Sequence, residues 1–231
     1  GVPTAVILLF GRRLGFSGHL FSKPNPGTTR YSVLILMGTG VVAAIFTRLF
    51  LGILQESGVV VLQESEVPPT DFSAFLLFCF STTLLPAFLE ELLFRGLLLR
   101  TFTRYGPRFA IFASAMLFAF THGNLTQGVG TFFMGILLAV IAQRAGSVLP
   151  TVMIHMFYNT FAMLINTAVE LPSEVAVAAA NGFFVIFGLV CVGYLVVRYL
   201  KRRPVFPPKC PESKPFGFRR LLRSWPSTGP K

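Results

Sequence analysis

Long apolar stretches, separated by short polar or charged connections, fill the chain from about residue 31 to residue 200. Stretches of this length and polarity predict helices that cross a lipid bilayer. The third and fourth of them are shorter than the roughly 20 residues of a full span, so we expect less tilt or a partly re-entrant path there. The expected fold class is all-α, a polytopic membrane protein of about six helices, at residues 31–54, 71–100, 108–122, 127–142, 148–165 and 175–199.

Composition agrees with a lipid environment. The 231 residues are 53% hydrophobic and 13% charged, whereas soluble domains average about 25% charged residues. The net charge of +11 first suggests nucleic-acid binding, but the basic residues do not interleave with aromatic side chains along one face. They collect at the ends of the apolar segments, as in membrane proteins. We therefore expect no nucleic-acid partner.

The connections between the apolar segments alternate in the sign of their charge. Because Lys and Arg mark the cytoplasmic side of a membrane protein, this order predicts an even number of spans with both chain ends in the cytoplasm. The expected location is the plasma (inner) membrane. The charged groups, in chain order, are Arg12, Arg13, Lys23 and Arg30; Glu56, Glu64 and Glu66; Arg100, Arg104 and Arg108; Arg144; Glu170 and Glu174; and Lys201, Arg202 and Arg203.

Three regions follow from this pattern. Residues 1–30 hold a short apolar stretch followed by two arginines, which we interpret as the possible remnant of a preceding membrane helix or an interfacial segment. Residues 31–200 form the membrane domain. Residues 201–231 are a basic, proline-rich cytoplasmic tail, expected to be flexible and to lie along an anionic leaflet. The three scattered cysteines indicate neither a disulfide framework nor a zinc site.

The second apolar segment contains two adjacent glutamates, in FLEELLFRG. Glu91 and Arg95 are four residues apart on a helix, with the acid first, which favours an ion pair. Glu90 points about 100° away and is the carboxylate left for chemistry. Pro86 lies one turn earlier and is expected to kink the helix. A purely structural buried ion pair is the simpler alternative, although ionisable groups within membrane segments are usually functional.

Two further segments carry polar residues with the same four-residue spacing. Phe118 and His122 continue a stripe of small residues on the third segment, which would allow close helix packing. His155 and Asn159 share one face of the fifth segment. A glutamate and a histidine can activate water as a general base, and a second histidine with an amide can stabilise an oxyanion. The same Glu and His side chains could instead hold a divalent metal, although no HExxH motif is present.

Three motifs, in order, resemble those of the CPBP intramembrane proteases, which include the CAAX prenyl endopeptidases of the Rce type. EELLFR resembles their EExxxR motif, FAFTH their FxxxH motif and HMFYN their HxxxN motif, and the similarity extends over about residues 72–164. The resemblance implies a site enclosed in a helical bundle. In it, Glu90 and His122 would activate water, and His155 and Asn159 would stabilise the oxyanion. Glu91, Arg95 and Phe118 would support the site.

The resemblance also implies an activity, and it leaves the role of a metal open. We expect an intramembrane endopeptidase that cleaves near the C-terminus of a membrane-associated or prenylated protein or peptide. A zinc ion held by Glu90, His122 and His155 stays open, as does a glutamate-dependent reaction without metal. Membrane lipid and a peptide or lipid-modified protein are the expected partners. The alternatives are a non-catalytic membrane scaffold or bacteriocin-immunity protein and, third, a transporter or proton channel.

Overall fold

Six helices account for nearly all of the chain that the computed structural model describes, which comprises residues 21, 26–59, 68–169 and 174–202. Each predicted segment corresponds to one helix, so the all-α prediction is confirmed. Most of the N-terminal region and residues 203–231 of the tail lie outside the described residues. The helices are α1 (Pro26–Glu56), α2 (Phe72–Tyr105), α3 (Pro107–Phe120), α4 (Leu125–Ala145), α5 (Leu149–Val169) and α6 (Glu174–Leu200).

Helix lengths differ in part from the expectation of a short third and a short fourth segment. Within the described residues, α1, α2, α4 and α6 each contain a stretch long and apolar enough to cross a membrane. The prediction of a short fourth segment was wrong, because α4 runs for 21 residues, from the Asn124 cap to the left-handed Gly146. Helix α3 is indeed short, with 14 residues. Helix α5 has 21 residues, and the polar side chains of the predicted site lower its hydropathy.

Helix α2 begins at a defined cap. The Asp71 carboxylate accepts hydrogen bonds from the Ser73 hydroxyl at 2.5 Å and from the Ala74 amide at 2.8 Å. These two bonds lower the pKa of Asp71, which lies just before the apolar stretch, below its ordinary value. An ionised carboxylate at this point is also favoured by the helix dipole. The first turn of α2 is therefore fixed by the Asp71 carboxylate, which accepts from one side chain and one main-chain amide.

Two wide π-helical turns interrupt α2, at Phe80–Leu84 and Leu92–Leu98. They flank the short α-helical stretch Leu85–Glu91, in which Pro86 occupies the first turn. Proline has no amide proton for a preceding carbonyl, and a wide turn accommodates that loss. The Thr82 and Thr83 hydroxyls donate back to the carbonyls of Phe78 and Cys79, at 2.7 and 2.6 Å. At the predicted kink near Pro86, the structure thus shows a change from α-helical to wider π-helical turns.

Close packing joins the helices into one bundle. Helix α3 lies along α4 through its buried small residues Ala110 and Ser114, as the stripe predicted. Helix α6 lies along α1, where a Cβ at Gly188 would overlap the side chain of Val41. A shared apolar core lies between the helices, and its large members include Leu36, Met37, Phe94, Phe118, Leu138, Ile141 and Ile154.

Candidate active site

A buried ion pair on α2 forms the base of the site. Arg95 Nη1 donates to Glu91 Oε1 at 2.7 Å, and both side chains are 0% exposed. Arg95 Nη2 also donates to the Gly135 carbonyl of α4 at 3.2 Å. Two opposite charges removed from solvent stay ionised only when each has its counterion and good hydrogen bonds. The predicted Glu91–Arg95 pair is therefore present, and it ties α2 to α4.

Phe118, on α3, is at the centre of the site rather than at its edge. The Arg95 guanidinium lies 4.5 Å from the centroid of its ring, within the range of a cation–π interaction. The imidazoles of His122 and His155 meet the same ring edge-on, with centroid separations of 5.0 and 5.7 Å. Phe118 is completely buried. The Phe118 ring thus separates the Arg95 guanidinium from the imidazoles of His122 and His155.

His155, on α5, lies between the two carboxylates. Its Nδ1 is 3.0 Å from Glu91 Oε1, and its Nε2 is 3.8 Å from Glu90 Oε2. The first distance is a hydrogen bond and the second is too long for one. Since Glu91 accepts, Nδ1 carries the proton in this arrangement and Nε2 is directed towards Glu90. Glu91 therefore holds His155 as well as Arg95, a contact that the sequence did not predict.

Glu90 is the accessible carboxylate of the pair. Its side chain is 29% exposed, compared with 0% for Glu91, as helix geometry predicted for adjacent residues. It interacts electrostatically with both His122 and His155. Glu90 can therefore meet a water molecule or a substrate that Glu91 cannot reach.

His122 is held in the turn that follows α3. Its Nδ1 is 2.9 Å from the Phe118 carbonyl oxygen, so this nitrogen donates and the Nε2 atom remains available as a base. The chain reverses at Gly123, which has a left-handed φ of 69° that a residue with a side chain rarely adopts. The imidazole is partly exposed, in keeping with a role towards water.

Asn159 lies one helical turn beyond His155 on α5 and is partly buried. Residues four apart on a helix share a face, so its amide is on the side of the site. Within the described part of the chain, no hydrogen bond joins Asn159 to the other candidate residues. Of the predicted site residues it is the one whose contact with the centre is not shown.

Two residues of the site were not predicted from the sequence. Gly135 supplies the carbonyl for Arg95, and Thr151 is fully buried one turn before His155. The Thr151 hydroxyl lies beside the Glu91 carboxylate but donates to the Val148 carbonyl at 2.8 Å. Accordingly Glu91 Oε2 has no hydrogen-bond partner among the described atoms. The four-residue spacing of Thr151 and His155 could have indicated that Thr151 lies on the same helix face as the site. For Gly135, the sequence shows only a glycine within a helix.

The candidate metal ligands do not form a metal-binding arrangement. Among the described residues, no group of three or more His, Cys, Asp or Glu side chains is placed to hold a metal ion. The geometry thus gives no support to a zinc site made by Glu90, His122 and His155.

Comparison with known proteins finds a family model that matches the segment containing this site. Residues 72–161 match the family model described as type II CAAX prenyl endopeptidase Rce1-like, and this segment contains all the predicted site residues. No curated protein and no solved structure gives a significant match to the chain. The order of the motifs, the helical bundle and this match lead to one conclusion: residues 72–161 are similar to the Rce1-like proteases, and the chain is an integral membrane protein.

Proposed function

We propose that this protein is an intramembrane endopeptidase that hydrolyses a peptide bond near the C-terminus of a membrane-associated or prenylated protein. One observation carries the proposal: the partly exposed Glu90 lies beside a fully buried Glu91–Arg95–His155 network. A buried network of this kind rigidifies the groups around it. The Rce1-like match supports the CAAX type of substrate.

The proposed reaction uses water activated by Glu90 and His122. Glu90 takes a proton from the water as its oxygen attacks the scissile carbonyl carbon, while His122 orients the water through Nε2. The carbonyl oxygen becomes an oxyanion, and the proton held by Glu90 passes to the leaving amine as the C–N bond breaks.

His155 and Asn159 are the proposed partners of the oxyanion. The Asn159 amide can donate directly. A hydrogen bond from His155 Nε2 requires a proton on that nitrogen while Nδ1–H stays directed at Glu91. The two carboxylates beside the ring would balance the added charge. Fixed donors of this kind act at the atom where charge develops and typically contribute about 3 kcal/mol each.

A comparison of membrane peptides in cells tests the proposed activity. Cells that produce the wild-type protein should accumulate C-terminal fragments, and the precursor should persist in cells that produce His122→Ala, which removes the imidazole that orients the water. His19→Ala, outside the family segment, is the matched histidine control and should behave as wild type. Identical peptide profiles for wild type and His122→Ala would instead favour a scaffold or an immunity protein.

The orientation in the membrane is a second proposal, based on charge. Arg100, Arg104 and Arg108 surround the α2–α3 turn, whereas Glu56 ends α1 and Asp71 directly precedes α2. By the positive-inside rule, we place the α2–α3 turn in the cytoplasm and the α1–α2 connection outside the cell. Both chain ends then lie in the cytoplasm, and the membrane is the plasma membrane.

Single cysteines introduced into a cysteine-free variant check this orientation. Ser57→Cys, at an exposed position after α1, should react with a membrane-impermeant maleimide on intact cells. Arg104→Cys, exposed near the end of α2, should react only after the membrane is opened. Labelling in the reverse order would show that the protein is inserted the other way round.

A further inference from the structure

Gly135 of α4 lies directly against α3 at the site. A Cβ atom built on Gly135 would be 3.0 Å from Ala115 Cα, 3.1 Å from Ala115 Cβ and 3.2 Å from Phe118 Cδ1. Real Cβ atoms seldom come so close to neighbouring atoms. The two helices can therefore approach to this distance only because residue 135 has no side chain.

The same glycine also contacts the ion pair through its backbone. Its carbonyl accepts a hydrogen bond from Arg95 Nη2 at 3.2 Å, and a main-chain carbonyl can reach a buried guanidinium only where the helix backbone comes near. The Arg95 guanidinium in turn lies against the face of Phe118. Gly135 consequently contacts both members of the Arg95–Phe118 pair. Its carbonyl oxygen binds Arg95, and the absence of a side chain leaves room for the Phe118 ring.

We propose that Gly135 is a positioning residue for the catalytic centre, an inference that rests on the proposed function. Its carbonyl fixes Arg95, which fixes Glu91 and through it His155. The space at its α-carbon fixes the Phe118 ring, whose edges set the positions of His122 and His155. None of the three motifs that indicated the site includes this residue.

A methyl group at residue 135 should disturb the site with little change in the fold. Phe118 and Ala115 would have to yield by a few tenths of an ångström, and Phe118 transmits that shift to both imidazoles. Because a displacement of about 1 Å in an active site can lower the rate about a hundredfold, we expect Gly135→Ala to lower kcat about tenfold. KM should stay within about twofold, since no group that binds substrate is removed.

Two glycines of the same helix serve as matched controls. The nearest atoms to a Cβ on Gly128 and on Gly130 are both 3.8 Å away, an ordinary contact distance. The three Gly→Ala variants would be compared in proteoliposomes with a fluorogenic peptide ending in a prenylated CAAX sequence. Measured quantities are kcat, KM, the pH profile of kcat/KM and the midpoint of thermal unfolding. We expect Gly128→Ala and Gly130→Ala to behave as wild type.

A compensating change separates positioning from general damage. Ala115→Gly removes one of the atoms that a methyl at residue 135 would crowd, so Gly135→Ala with Ala115→Gly should regain part of the lost kcat. The histidine imidazole signals in ¹⁵N NMR spectra should move in Gly135→Ala and be unchanged in Gly130→Ala.

The outcomes distinguish this inference from the function on which it rests. Unchanged kcat and unchanged imidazole signals in Gly135→Ala would overturn the positioning role while the protease activity stands. A wild-type protein that does not cleave the peptide would count against the proposed function, and the imidazole signals would still decide whether Gly135 positions the histidines.

Discussion

Glu90→Gln is expected to reduce peptide cleavage by the purified protein about a thousandfold, within the range that a general base contributes. The amide has nearly the same shape as the carboxylate but cannot take a proton from water. Because Glu90 is partly exposed and, among the described residues, forms no ion pair within hydrogen-bonding distance, the fold should be little changed. Initial rates in proteoliposomes, together with the thermal unfolding midpoint, measure both effects.

Glu56→Gln is the control for this substitution. Glu56 is exposed at the end of α1, far along the chain from the motifs, and the same loss of one negative charge there should leave the rate unchanged. A Glu90→Gln protein that cleaves as fast as wild type would refute the catalytic base. Full biological function of Glu90→Gln in cells, with no cleavage by either protein, would favour a non-catalytic scaffold.

Arg95→Met is expected to destabilise the protein by about 4 kcal/mol, the typical cost of removing one partner from a buried ion pair. Glu91 would be left as a buried carboxylate without its counterion, and the Gly135 carbonyl would lose its donor. Arg95→Lys should lie between Arg95→Met and wild type, because an ammonium keeps the charge but not the forked geometry. Unfolding in detergent, followed by circular dichroism, measures the change.

Two further variants test the origin of that loss. Arg108→Met removes an exposed arginine at the start of α3 and should change the stability little. The double variant Glu91→Gln with Arg95→Met contains no unpaired charge and should recover part of the stability, although His155 loses its anionic partner and activity should stay low. Arg95→Met with wild-type stability would show that the ion pair does not stabilise the fold.

Much of the architecture could be read from the sequence because a bilayer imposes long apolar helices with internally satisfied backbones. Each predicted segment became a helix, and the Glu91–Arg95 pair followed from four-residue spacing alone. The difference in exposure between Glu90 and Glu91 followed from the angle between neighbouring helical positions. These features are local, so they need only the helix geometry.

The remaining features depend on contacts between helices. That Glu91 also binds His155, 64 residues away, requires the relative rotation of α2 and α5, which no spacing encodes. The roles of Gly135 and of the Phe118 ring depend on how closely α3 approaches α4. The wide turn at Phe80–Leu84 lies where Pro86 and packing against α5 compete with regular α-helical hydrogen bonding, and the apolar pattern carries no sign of it.

The wide turn at Phe80–Leu84 also separates the membrane-facing part of α2 from its glutamates. The preceding stretch, Phe72–Cys79, has no fully buried residue, so in a membrane most of its surface would face lipid. Bilayers differ in thickness, and helices respond to hydrophobic mismatch by tilting or bending, with bends concentrated at π-helical turns. We expect this outer part of α2 to adjust to membranes of different thickness while Glu90 and Glu91 keep their orientation.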